Sequence, residues 1–224
     1  MRKLFLTLTV LAAALLAGCE QDAYEKGEGE NSLVRADFVE AHVNADKKIV
    51  SVTTDDGELL NVSNPFNQNW VQKGDTLYRA MLYYRPADAG QVEAVSCGKI
   101  EVASLIPLDS IDDGMKTDPV RLESVWMGKN RRYLNVGLYL KSGATDDEDA
   151  VHRLGIVARE VVSHADGRQT LLLQLYHDQG GVPEYYSQRN FFSIALDKIP
   201  ADSLSISINT YDGEVVKTFC LAQE

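Results

Sequence analysis

From Leu33 onward apolar and polar residues alternate with a period of two, and helical periodicity is nearly absent. Successive side chains of a strand point to opposite faces, so the alternation predicts half-buried antiparallel strands. In the first part of the chain the pattern is carried by Leu33–His42, Lys48–Thr54, a short Leu59–Val62, Thr76–Arg85 and Gln91–Ala103. Asp55-Asp56-Gly57 separates two of these segments and reads as a hairpin turn, because glycine accepts the positive φ the bend requires. Strands this closely spaced predict a small barrel or rolled sheet over residues 33–104.

Residues 105–119 hold Pro107, several acids and Asp113-Gly114, and read as a connector. Seven further segments then alternate: Val120–Met127, Arg131–Lys141, Arg153–Ser163, Gln169–His177, Phe191–Asp197, Leu204–Thr210 and Glu214–Leu221. In Arg131–Lys141 the residues Leu134, Val136, Leu138 and Leu140 share one face, while Tyr133, Asn135 and Tyr139 share the other. With turns at Ala165-Asp166-Gly167-Arg168 and Tyr211-Asp212-Gly213, the expected fold class is all-β: a small barrel, then a seven-strand antiparallel β-sandwich over residues 120–224.

Ahead of Leu33 the chain changes character. Met1-Arg2-Lys3, an uncharged run from Leu4 to Leu16 and the small residues Ala17-Gly18 follow the order of a secretory signal peptide. The apolar run is shorter than the roughly 20 residues a membrane-crossing helix needs, so residues 1–18 are expected to be removed. The ending Leu16-Ala17-Gly18-Cys19 resembles the bacterial lipobox, which implies a lipidated Cys19. Each buried CH₂ of an acyl chain contributes about 0.8 kcal/mol, so several palmitate-length chains hold a protein stably on a membrane. Residues 20–32 contain five acids, one lysine and almost nothing to bury, and residues 19–32 are expected to form a flexible acidic leash. The acidic stretch also resembles the export signals of surface lipoproteins of Gram-negative gut anaerobes. The expected location is an outer-membrane lipid anchor, with the periplasmic and the surface-facing side both open.

Charge narrows the partners. The formal charge of −11 becomes −13 when Arg2 and Lys3 leave with the leader. Phosphate backbones reward Lys/Arg clusters, and the one dense cluster is Lys129-Asn130-Arg131-Arg132 at an expected turn, so no nucleic acid is expected as a partner. Cys97 and Cys220 read as buried free thiols, with a disulfide between them as the alternative.

Motifs for chemistry are missing. There is no Gly-x-Ser-x-Gly elbow and no His-Glu-x-x-His pair, and His42, His152, His164 and His177 lack metal-ligand spacing. Asp56, Asp113, Asp166 and Asp212 each precede a glycine, but the calcium-loop pattern started at Asp109 fails at Ile111 and Val120. Thr145–Asp149 reads as a solvated loop tip. No catalytic residue, metal or cofactor is expected, and an envelope hydrolase with converging carboxylates or a Ser–His pair is the least favoured reading. Recognition has better candidates. The longest expected loop, Tyr176–Asn190, offers Tyr176, His177, Tyr185, Tyr186 and Arg189, and tyrosines give wide contact area at low entropic cost. The competing reading has Tyr185 and Tyr186 folding back to cover the sandwich edge. In the first half, Trp70, Tyr83 and Tyr84 form a candidate aromatic surface, although alternation places one tyrosine of that pair inside.

The mature chain resembles the NigD-like lipoproteins. The resemblance is carried by Lys73–Ala80 in the first half and by Ser124-Val125-Trp126, Tyr133–Val136, Leu171–His177 and Phe192–Leu196 in the second. It implies an OB-like barrel before the sandwich and, through the family's name, a bacteriocin-immunity-like role. It supplies no catalytic or binding residues. The expected function is therefore a lipid-anchored, non-enzymatic envelope protein that binds a protein partner or bacteriocin, with a glycan as the alternative ligand.

Overall fold

The computed structural model describes residues 33–197 and 199–221; the leader, Cys19 and the acidic leash lie outside the described residues. Strands β1 (Arg35–Val43), β2 (Lys48–Thr54), β3 (Leu59–Asn67), β4 (Thr76–Pro86) and β5 (Gln91–Lys99) close a barrel in the order β1-β2-β3-β5-β4. Closure comes from β4 pairing back on β1 along its whole length, from Arg35↔Tyr84 to Val43↔Thr76. The alternation marks the inward positions: Val39, Ala41 and Val43 of β1 and Ala80, Leu82 and Tyr84 of β4 are all buried in the barrel core. The residues between them, Phe38, Glu40, Arg79 and Met81, point outward.

The sandwich is built from β6 (Glu101–Ala103), β7 (Leu105–Pro107), β8 (Arg121–Met127), β9 (Tyr133–Ser142), β10 (Arg153–Ser163), β11 (Gln169–Asp178), β12 (Tyr186–Ala195), β13 (Ser203–Thr210) and β14 (Gly213–Cys220). One sheet has the order β6-β12-β9-β8 and the other β14-β13-β11-β10-β7. All seven expected strands are present, and two short ones are added. Residues 101–103, expected to end a barrel strand, instead run parallel to β12, and residues 105–107, expected as connector, run parallel to β10. The reason lies in burial: Ala103 and Leu105 pack against the sandwich core, so the chain changes sheet at Ser104 to bury both.

A second difference is at β12, which begins at Tyr186 rather than Phe191. Its first residues are polar and exposed, and they are held extended by pairing with the end of β9, from Tyr186↔Ser142 to Asn190↔Leu138. That pairing leaves no local apolar pattern to read. The core itself is as the alternation requires, with Leu134, Val136, Leu138 and Leu140 facing Ile206 and Ile208 of the opposite sheet.

The other face of β9 is not left to solvent. Phe38 of the barrel meets Trp126 of β8 and Phe191 of β12 edge-on, at ring centroid distances of 5.1 and 5.4 Å. Arg79 reaches into the same seam. Its Nη2 donates to Asp55 Oδ2 at 2.6 Å and to Asn135 Oδ1 at 2.9 Å, and its Nε donates to Ser193 Oγ at 3.1 Å. Its guanidinium also lies 4.1 Å from the centre of the Tyr133 ring. Asn130 Nδ2 donates to the Thr54 carbonyl, Lys129 pairs with Asp56, and Arg132 pairs with buried Glu40. The basic turn 129–132 is thus matched to the barrel's acids.

Candidate functional site

The expected recognition loop is much shorter than its sequence suggests. Only residues 179–185 lie between β11 and β12, so Tyr176 and His177 end one strand while Tyr186 and Arg189 open another in the opposite sheet. His177 is 1% exposed and belongs to the interior, whereas Tyr185 and Tyr186 project into solvent at 79% and 56%. The candidates do not converge on one surface. Nor do those of the barrel: Tyr84 is buried and donates to Asp37 Oδ2 at 2.6 Å, while Trp70 packs edge-on against Tyr78 at 5.6 Å. Tyr83 is the exposed member of its pair. Cys19 lies outside the described residues.

One of these residues, Arg189, joins a row at the rim of the seam. Arg189 of β12, Tyr139 of β9 and Arg121 of β8 stand side by side across three strands through the pairs Arg189↔Tyr139 and Arg121↔Tyr139. The Arg121 guanidinium lies 3.8 Å from the Tyr139 ring centre, and that of Arg189 lies 4.5 Å from the Phe191 ring centre. Arg189 grips Glu123 with both nitrogen edges, Nε to Oε2 at 2.7 Å. These bonds hold the Glu123 carboxyl below the usual carboxylate range. The same bonds to Glu123 raise the proton affinity of Arg189. Arg121 and Arg189 are exposed in this row, whereas further along β9 Gly137 is closed off by the Phe191 ring, 2.7 Å from where a Cβ would stand, and Asn135 is covered by Arg79 of the barrel. Arg121 and Tyr139 carry no sequence signal for this role beyond alternation, and their register across β8 and β9 is what brings them together.

Beside this row a cleft of about 440 Å³ opens between the edges of the two sheets, lined by Val120, Leu122, Val125 and Val215 together with Arg121, Glu123, Asp212 and Lys217. A second hollow of about 390 Å³ holds His164, Thr170, Ser203 and Cys220. There His164 Nε2 lies 2.7 Å from Thr170 Oγ1, and that oxygen lies 2.7 Å from Ser203 Oγ. A catalytic triad needs a carboxylate to orient the imidazole. Of the two acids in the lining, Asp166 is held instead by Arg168 Nε at 2.7 Å, and Asp202 accepts from the Gln169 N–H at 2.8 Å. Among the described residues no group of three or more His, Cys, Asp or Glu side chains could hold a metal ion. Cys97 and Cys220 form no disulfide; Cys97 is buried as expected, and burial pushes its thiol up to about 12, whereas Cys220, expected to be buried, is exposed at the end of β14.

The connection 179–185 is supported from below by a pair of stacked histidines, His152 and His177, with ring centroids 5.4 Å apart. His177 Nδ1 lies 2.9 Å from the Asp118 carbonyl oxygen, and its Nε2 lies 3.2 Å from His152 Nδ1. A carbonyl only accepts, so His177 carries its proton on Nδ1 and accepts from His152 on Nε2. His152 Nε2 is buried without a hydrogen-bond partner among the described residues. Burial, and then the neighbouring His177, hold the His152 pKa below its ordinary value.

Comparison with known proteins adds the following. Residues 104–221 match the family model of the NigD-like C-terminal β-sandwich domain. A crystal structure of a NigD-like immunity protein from Bacteroides caccae is similar at 26% identity and a TM-score of 0.64, covering 83% of this chain and 96% of that one. A protein of unknown function from Bacteroides vulgatus shares the fold at 18% identity and a TM-score of 0.61, over 85% of this chain and 92% of that one. An uncharacterized protein from Parabacteroides merdae does so at 11% identity and a TM-score of 0.51, over 84% of this chain and the whole of that one. None of the curated proteins matches the chain.

Proposed function

The chain belongs to the family defined by the NigD-like C-terminal β-sandwich domain, and from that premise we propose that it is a lipid-anchored, non-enzymatic protein of the cell envelope that binds a protein partner. The observation that carries the reading is the similarity to the immunity protein of Bacteroides caccae, which extends over barrel and sandwich together. On this reading the partner is a bacteriocin or an envelope component. The exposed Arg and Tyr side chains at the rim of the seam support this use, because those residue types dominate the energetics of protein interfaces.

Lipidation of Cys19 would hold the protein on the outer membrane, with the acidic leash setting its reach. Two measurements test the proposal. Cys19→Ala should move the protein from the membrane fraction to the soluble fraction; unchanged fractionation refutes the anchor. Cross-linking of the full chain in intact envelopes should capture a defined protein partner, and capture should weaken with Tyr185→Ala and Tyr186→Ala together if that end of the sandwich takes part. A chain that captures nothing above background refutes the binding role. A glycan reading draws on the adjacent exposed Tyr185 and Tyr186, and a glycan array without hits removes it.

A further inference from the structure

We infer that the cleft between β8 and β14 receives an extended segment of a protein partner, in which a carboxylate side chain alternates with apolar ones. The inference rests on the protein-binding reading above and gives it a site and a partner chemistry.

Backbone geometry makes the first argument. β8 and β14 are end strands of their sheets, and each pairs on one side only, β8 with β9 and β14 with β13. Their outer N–H and C=O groups therefore face away from the sandwich. At one end the two sheets are tied by Val120, whose N–H donates to the Asn209 carbonyl at 3.1 Å and whose carbonyl accepts from the Tyr211 N–H at 3.3 Å. Beyond this tie the sheets part, and the opening has an apolar floor of Val120, Leu122, Val125 and Val215. On the opposite side β6 and β7 cross from sheet to sheet through Ser104, and the hollow left there is smaller, about 290 Å³, with no cation in its lining. A row of free backbone groups beside an apolar floor is what strand addition uses: main-chain bonds supply affinity, and alternate side chains supply selectivity.

Charge supplies the second argument. Arg121 and Lys217 both line the cleft. Among the described residues Arg121 donates no hydrogen bond and joins no ion pair within 4 Å; the Tyr139 ring flanks its guanidinium, and its charge also acts on the Glu123 carboxylate. Lys217 occupies the inward row of β14, between Val215 and Phe219 and opposite the fully buried Ile206. It too joins no ion pair among the described residues. Of the acids on the wall, Glu123 is bonded to Arg189 and also feels Arg121, so three cations, Arg121, Arg189 and Lys217, stand against two carboxylates, Glu123 and Asp212. In a chain of net charge −11 this is a local exception. A guanidinium held flat with free edges is matched by a carboxylate, which it can bind with two parallel bonds.

The same lysine argues against a second copy of this chain as the occupant. An inward-pointing charge on an edge strand disfavours edge-to-edge pairing of like chains, since two copies would bring two Lys217 ammonium groups together. The geometry therefore points to a different protein.

The test selects a library of random peptides against the full-length chain, expressed with its own leader and purified in detergent. Retained peptides should be enriched in Asp or Glu flanked by Val, Ile or Leu. Arg121→Glu combined with Lys217→Glu should weaken their binding at least about tenfold, with an unchanged melting temperature. Independently of any variant, bound peptide should slow amide hydrogen exchange in residues 121–125. Selection without acidic enrichment, protection elsewhere, or full binding by the charge-reversed variant overturns the inference. So does binding of polygalacturonate that depends on the same two residues, which would assign the cleft to acidic glycans. If the charge-reversed variant still captures the envelope partner, the cleft is wrong and the protein-binding reading stands. If acidic peptides occupy the cleft while the native chain captures no envelope protein, the cleft stands and the broader reading falls.

Discussion

At the scale of single residues, the histidine pair turns burial into a pH response. His152 is neutral in the folded chain at neutral pH because burial, and then the proximity of His177, lower its pKa from 6.5. In the unfolded chain the same ring takes up a proton as the pH falls through about 6.5. The folded state binds fewer protons there, so stability is at its full value above that pH, decreases as acid is added, and stops decreasing once the folded ring is also protonated. We expect urea midpoints measured from pH 8 to pH 5 to fall more steeply for the native chain than for His152→Gln. Parallel curves would show that the pair has no such part. The sites were partly legible at this scale: alternation placed one of Tyr83 and Tyr84 inside without saying which, and gave no hint that His177 would be interior.

Elements bring the connections into view. The segments 143–152 and 179–185 pack on each other through glycines, and Gly180 has φ +58° with a Cβ position only 2.1 Å from the Val151 carbonyl oxygen. An alanine there meets both an unfavourable backbone region and a rigid main-chain atom. Gly114 also has a positive φ, +79°, but nothing within 4 Å of its Cβ position. Gly114→Ala should therefore cost about 1 kcal/mol, from conformation alone, and Gly180→Ala clearly more, about 3 kcal/mol, read as the difference in urea unfolding. Equal losses would show that the two connections do not press on each other. Here the strands were readable and the loop was not: β11 and β12 extend into Tyr176–Asn190 through pairing with neighbours, so the aromatic candidates divide between two sheets.

For the whole molecule the decisive contact is the seam between barrel and sandwich. The Arg79 and Asp55 side chains are 1% and 13% exposed, and the guanidinium bridges the barrel to Asn135 and Ser193. Removing one partner of a buried pair leaves the other uncompensated, at about 3–5 kcal/mol. Arg79→Ala should lose stability of that order, and its heat unfolding should separate into barrel and sandwich steps where the native chain shows one. Arg79→Ala with Asp55→Ala should recover part of the loss, because the orphaned carboxylate is gone. A surface-like loss below about 1 kcal/mol would mean that the seam does not couple the two parts.

What the sequence by itself determined is local. Period-two alternation located every strand but the short β6 and β7, with the inner faces, and Asp-Gly pairs located the turns, because side-chain direction and positive φ are properties of a few adjacent residues. Tertiary structure alone decided which outer faces stay in water. Tyr133 and Asn135 read as a polar outer face, and they became the floor of the seam when Arg79, 56 residues from Asn135 and 114 from Ser193, docked on it. The row Arg121–Tyr139–Arg189 and the cleft beside it have the same origin. They depend on registers between strands far apart in the chain, and such registers are set by the packing of the assembled sheets, which no local pattern records.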